Sequence, residues 1–228
     1  MRVAALVLGA GRGERLGYAM PKAFVPLAGR ALIAHALEAL ASTEEVEWVV
    51  PVIPADAHER FAGLVSQLRH REKLGAPVVG GAERQDSVAA GLDALPKDVV
   101  LVAVHDAARP LVRPADVSRV IAGAWRCGAA ILAVPVRDTI KRVREGRVLE
   151  TPPRAECWAA QTPQVFRVEL LREAHAKAEA EGRLGTDCAQ LVEALGIPVE
   201  VVEGDPGNLK ITLPEDLERA ERALEERR

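Results

Sequence analysis

Apolar residues in this chain fall into short unbroken runs that alternate with stretches where they recur every three or four positions. Val3–Leu8 is an apolar run closed by glycine, the pattern of a strand covered on both faces. Ala31–Ala41 has helical spacing, Val46–Ile53 is β-branched and apolar, and Ala57–Leu68 is again helical. Pro77–Val79 predicts a short strand stopped by Gly80-Gly81, and Asp86–Leu95 predicts a helix. Val99–Val104 is a strand ending at "HDAARP", Pro114–Cys127 a helix with proline in its first turn, and Ala129–Val134 a strand. This alternation predicts an α/β fold: a Rossmann-like, mixed but mainly parallel sheet with helices on both faces.

The rhythm breaks at "DTIKRVREGRVLETPPR", Asp138–Arg154, which is polar with β-branched residues at intervals and a turn at Glu145-Gly146. It predicts a β-hairpin that cannot belong to the core, and either hangs in solvent or packs on a partner. Helices are expected near Val168–Ala180 and Thr186–Leu195, strands near Val199–Val202 and Leu209–Thr212, and a last helix from Pro214. The organisation is one domain over residues 1–228 with an arm, 138–154, inserted.

A chain of 228 residues suits one full α/β core. A net charge of −3 gives no broad electrostatic footprint for nucleic acid, so any basic site is local. Val3–Leu8 is too short for a signal peptide's apolar core and no stretch approaches membrane-spanning length, so a cytoplasmic protein is expected, with no membrane partner. Cys127, Cys157 and Cys188 are odd in number and widely spaced, which disfavours disulfide and zinc alike and leaves them as small, half-buried core residues.

Against this background "LGAGRGERLGYAMPKAF", Leu8–Phe24, combines bare backbone with Arg12, Arg15 and Lys22. It is not a dinucleotide fingerprint: the glycines at 9, 11 and 13 are spaced GxGxG, and Ile53-Pro54 stands where a ribose-binding acid is expected. Nor is it a Walker A loop, which needs GK followed by Ser or Thr. The next helix begins only near residue 30, so the loop wraps around something. Glycine N–H groups favour anions, and the cations beside a strand end tip the balance from a plain turn to a triphosphate site.

"GAGRGERLGYAMPK", "GGAERQDSV", "VHDAARP", "PVRDTIK", "QTPQ" and "NLKITLPEDL" follow in that order, and together they resemble the 2-C-methyl-D-erythritol 4-phosphate cytidylyltransferase family of the non-mevalonate isoprenoid pathway. The likeness runs from Val3 to Leu217. It implies transfer of CMP from CTP to the substrate's 4-phosphate with loss of pyrophosphate. An anionic phosphate nucleophile needs no general base, so the protein's work is positioning and charge stabilisation.

The resemblance also implies residue roles. Arg15 and Lys22 match the pair that grips the triphosphate, and Lys210, at the end of a predicted strand, matches the lysine near the α-phosphate. Asp106 matches the aspartate that meets Mg²⁺ or another divalent cation; taken alone, an aspartate there is as often a cap. His105 beside it reads as a structural hydrogen-bonding residue. Cytosine recognition maps onto Gly9, Ala10 and Gly11 and onto Gly81, Ala82 and Ser87. The acceptor maps onto Asp106, Arg109, Thr139, Arg154, Thr162, Thr186 and Lys210, with Arg154 also counted as catalytic. Thr139 and Arg154 lie on the arm, which in the family interlocks with a partner and carries both residues into the neighbour's site. A homodimer with shared sites is thus implied. On residue pattern alone, Arg84 and Asp86 read equally as a helix-start salt bridge, and Thr186 as an N-cap with Asp187 in the first turn.

The chain departs from the family pattern at Gly9, where relatives often have Ala, and at Ala82, where they often have Asp. Gly207 also replaces a commonly acidic residue before Asn208, leaving any second metal carboxylate unassigned. Pentitol-phosphate cytidylyltransferases, such as the ribitol 5-phosphate enzyme, share most motifs but often have Val at the position of Ala108. An NAD-linked dehydrogenase lacks support in the glycine spacing, and an inactive nucleotide-binding regulator would not need all of Arg15, Lys22, Asp106 and Lys210.

Overall fold

The computed structural model describes residues 2–11 and 16–226. In chain order the elements are β1 (Arg2–Leu8), β2 (Pro26–Leu27), β3 (Arg30–Ala31), α1 (Leu32–Ala41), β4 (Val46–Ile53), α2 (His58–Val65), β5 (Val78–Val79), α3 (Arg84–Asp93), β6 (Val99–Asp106), α4 (Pro114–Cys127) and β7 (Ala129–Pro135). Then follow β8 (Arg142–Arg144), β9 (Arg147–Glu150), β10 (Trp158–Arg167), α5 (Val168–Ala180), α6 (Cys188–Glu193), β11 (Glu200–Glu203) and α7 (Pro214–Glu225). One sheet of order β11-β7-β10-β6-β1-β4-β5 carries the fold. Its pairs are parallel except that β10 runs antiparallel between β6 and β7. The expected mixed, mainly parallel sheet is therefore observed.

Side-chain alternation explains the two layers. Along β1, Val3, Ala5 and Val7 join a core that includes residues of α1 and α4, while Ala4 and Leu6 face the opposite core with α3, α5 and α6. A strand buried on both faces must be apolar throughout, which is why β1 reads as an unbroken run. A third cluster, with Leu16, Leu27, Leu111, Ile211 and Leu217, fastens α7 and the preceding loop against β2 and the start of α1.

Most predicted elements stand within a few residues of their expected ends, and α4 and α5 coincide with expectation. The hairpin turns where expected, with Glu145 and Gly146 both at positive φ (50° and 74°), as a tight two-residue hairpin turn demands. Two expectations are corrected. Leu209–Thr212 is not a strand but an extended loop, so Lys210 does not sit at a strand end. Its β-like pattern arises because Ile211 anchors that loop in the third cluster and its N–H bonds Ala108 O at 2.8 Å. Conversely, β10, a central ten-residue strand, has no apolar run to announce it. Its Gln161, Thr162 and Gln164 are buried polar residues, and the register shifts between Ala160 and Gln164 around a cis Thr162-Pro163 bond. Of the cysteines, only Cys188 is buried; Cys157 is half-buried and Cys127 exposed.

Candidate active site

A cleft of about 220 Å³ opens at the carboxyl ends of β1 and β6, where open α/β sheets bind ligands. β1 delivers Gly9, Ala10 and Gly11; the loop after β5 delivers Gly81 and Ala82; β6 ends on Asp106; Lys22, Arg84 and Lys210 complete the wall. Register explains the meeting, since Leu8 pairs with Asp106 across the sheet. Of the glycines, Gly9 is small for packing as much as for access, because a Cβ there would stand 2.9 Å from that of Ala23. Gly81 is constrained harder: its Cβ would stand 2.2 Å from that of Asp86. Ser87 braces the same loop, accepting the Gly81 N–H and donating to Glu83 O, both at 3.2 Å.

Asp106 is the electrostatic centre. Lys210 Nζ lies 2.8 Å from one carboxylate oxygen and Arg84 Nε 3.2 Å from the other. Burial disfavours its charge, but Arg84 and then Lys210 outweigh that and hold the carboxyl well below the usual carboxylate range. Asp86 does not form the helix-start pair with Arg84 that the pattern equally allows; it accepts the Glu83 N–H at 3.0 Å at the start of α3. Arg84 instead crosses to Asp106 and donates to Cys188 Sγ at 3.3 Å, a role no local pattern could announce.

Behind Asp106 lies a closed polar network. The Thr162 hydroxyl accepts the Asp106 N–H at 3.0 Å and stands 3.0 Å from His105 Nδ1. The Arg109 carbonyl can only accept, so Nε2 donates to it at 3.1 Å, and in the neutral ring Nδ1 then accepts the Thr162 hydroxyl. Full burial favours the neutral imidazole and lowers the His105 pKa to about 4. His105 is thus structural, as expected. Thr162 has its hydroxyl engaged inside the protein. Arg109 donates to Asn208 O at 2.8 Å and to Ala160 O at 3.1 Å. Asn208, fully buried, donates to Thr162 O at 2.9 Å and Gln161 Oε1 at 3.2 Å, tying the Lys210 loop to β10.

The other expected acceptor residues are dispersed. Thr186 precedes α6, but the cap is Asp187, whose side chain accepts the Gln190 N–H; the expected N-cap is displaced by one residue. Thr139 and Arg154 are exposed on the arm, Arg154 donating to Arg137 O at 3.2 Å. Arg15 lies outside the described residues.

For a divalent cation the fit rests on Asp106, one ionised carboxylate on the cleft floor. No group of three or more His, Cys, Asp or Glu side chains that could hold a metal occurs among the described residues. A hard cation shared with substrate phosphates needs only one or two carboxylates, so the donor set suits that mode and not a preformed cage.

Fold and cleft together define an α/β protein of nucleotide-binding type, with cations and small-residue backbone lining one cleft at the strand ends. The family model of 2-C-methyl-D-erythritol 4-phosphate cytidylyltransferase matches residues 3–226, and the chain belongs to that family. It is similar to the 2-C-methyl-D-erythritol 4-phosphate cytidylyltransferase of Pelotomaculum thermopropionicum, 44% identical over 227 residues that cover 99% of this chain and 95% of the relative. Among solved structures it resembles 4-diphosphocytidyl-2C-methyl-D-erythritol synthase from Anaerococcus prevotii, with a TM-score of 0.88 at 28% identity, covering 98% and 96% of the two chains. The Thermus thermophilus 2-C-methyl-D-erythritol 4-phosphate cytidylyltransferase gives 0.79 at 38% identity, covering 99% and 100%.

Proposed function

We propose that this chain transfers the cytidylyl group of CTP to 2-C-methyl-D-erythritol 4-phosphate, giving 4-diphosphocytidyl-2-C-methyl-D-erythritol and pyrophosphate. The observation that carries the reading is the gathering of Lys22, Arg84 and Lys210 around Asp106 between two small-residue loops, in a chain of this family. An oxygen of the acceptor phosphate attacks the α-phosphorus; the bond from that phosphorus to the bridging oxygen breaks, and its electron pair leaves on pyrophosphate. The nucleophile is already ionised, so no base is required, and neutral, buried His105 is not available as one. Lys22, with Arg15, holds the triphosphate and stabilises the charge that spreads in the transition state. Lys210 exchanges its Asp106 partner for the α-phosphate. The backbone of Gly9–Gly11 and Gly81-Ala82 reads the base. A divalent cation such as Mg²⁺, held by Asp106 and the phosphates, supplies charge neutralisation when bound.

The acceptor site is completed by a second copy of the chain. Thr139 and Arg154 face solvent on the arm with Val143, Val148 and Leu149, each about half exposed (54%, 59% and 49%). Apolar side chains held out in this way fit a homodimer in which each arm reaches the partner's cleft. The enzyme works in the cytoplasm with no nucleic-acid or membrane partner; no helix among the described residues is long and apolar enough to cross a membrane. Pyrophosphate release from CTP with 2-C-methyl-D-erythritol 4-phosphate and Mg²⁺ tests the assignment. Turnover with that acceptor and little with ribitol 5-phosphate is expected; no turnover, or preference for the pentitol phosphate, overturns it.

A further inference from the structure

Gln164, on β10, is 1% exposed, and its carboxamide is spent on one place in the fold. Oε1 accepts the N–H groups of Cys188 at 3.1 Å and Ala189 at 3.3 Å, the opening residues of α6. Nε2 donates to Asp187 Oδ2 at 2.8 Å; a carboxylate can only accept, which fixes the amide's orientation. Asp187 Oδ1 accepts the Gln190 N–H at 2.9 Å, and Gln190 Oε1 accepts both the Thr186 N–H at 2.8 Å and the Thr186 hydroxyl at 3.2 Å. One unbroken chain of hydrogen bonds thus leads from the middle of the sheet to Thr186. α6 has six residues, too few to hold its own shape in water.

We propose that Gln164 is a positioning residue for the acceptor: it pins the first turn of α6 to the sheet and so sets where Thr186 stands. Only a side chain with an acceptor on one atom and a donor on the other meets the three partners. An apolar residue would orphan two buried N–H groups, and a carboxylate would face that of Asp187. Arg84 touches this turn through Cys188 Sγ at 3.3 Å, but its ion pair is with Asp106 at 3.2 Å, so the nucleotide side keeps an anchor outside α6. The inference rests on the reading of Thr186 as an acceptor contact.

The test is a donor–acceptor swap. Gln164→Glu opposes two carboxylates; adding Asp187→Asn restores a full complement, because the new amide can donate to the introduced carboxylate while its oxygen caps Gln190. The single variant should raise KM for 2-C-methyl-D-erythritol 4-phosphate roughly tenfold with KM for CTP within about twofold, and the double variant should bring it back near the parent value. Amide hydrogen exchange at Cys188 and Ala189 should lose protection in the single variant and regain it in the double. A folded single variant with unchanged acceptor KM, or a double variant that melts like the parent yet stays impaired, overturns the proposal. If the parent turns over no 2-C-methyl-D-erythritol 4-phosphate, the functional reading falls, while exchange at the two amides still decides the pin.

Discussion

The two halves of the cleft are built differently. On the nucleotide side the wiring lies within one chain: Ser87 braces Gly81, Arg84 and Lys210 clamp Asp106, and Thr162 holds the Asp106 backbone. On the acceptor side Arg109 and the Thr162 hydroxyl are committed to internal bonds, and Thr139 and Arg154 sit on an arm whose residues 137–151 are all exposed. The difference teaches that rigidity and completeness are separate. The nucleotide half is a property of the folded monomer; the acceptor half, on the proposed dimer, is a property of two chains.

The comparison breaks most sharply at Lys22. Removing its charge with Lys22→Ala should lower kcat by about 10²–10³-fold, because the lost interaction matters most where charge spreads in the transition state. The melting temperature should change little, since the side chain is partly exposed at the cleft wall. Steady-state kinetics over a CTP series decides it: a kcat within a few-fold of the parent removes Lys22 from the chemistry.

Arg154→Ala should act on the other half. An arginine that meets the acceptor's phosphate contributes mainly to acceptor binding, so its loss should raise that KM by roughly tenfold and spare CTP affinity. If the residue serves the neighbour's cleft, mixing Arg154→Ala with Lys22→Ala protein creates heterodimers with one intact site. Random re-pairing then restores up to about a quarter of parental activity. Assayed well below the acceptor KM, mixtures no more active than the average of their two components would place both halves in one chain and erase the distinction.

Legibility in the sequence follows the same divide. β1, β4 and β6 are buried on both faces by layers the chain itself supplies, so their residues must be apolar and their pattern is plain. β10 is equally central but hides, because Gln161, Thr162 and Gln164 serve as connectors and only their distant partners explain them. The local grammar at Arg84 and Asp86 suggests a pair, yet Arg84 answers to Asp106, 22 positions away. The loop bearing Lys210 mimicked a strand because Ile211 needed burial and not because a ladder was available. Pattern therefore reveals where the layers are, and motif order reveals which residues meet; the buried polar wiring that joins them has no period for a sequence to display.

That wiring should also set the pH dependence of stability, the smallest of these effects. Burial lowers the pKa of His105 to about 4, and burial with the nearby Arg84 charge does the same for His175, each from an ordinary 6.5. The unfolded chain then binds more protons than the native one between those values, so stability is lost as pH falls from about 6.5 towards 4. Asp106, held below the carboxylate range, adds a further loss only below its unfolded pKa of about 4. Calorimetry at pH 7 and pH 5 should show the melting temperature dropping by about 5 °C, in the acid direction only. His175→Leu should remove part of that drop without touching the Thr162–His105–Arg109 chain, since His175 Nε2 has no hydrogen-bond partner among the described residues. A melting temperature flat from pH 7 to 5 would mean that the buried imidazoles are already solvated in the native state. The tightly wired half of the cleft would then be no more closed than the arm.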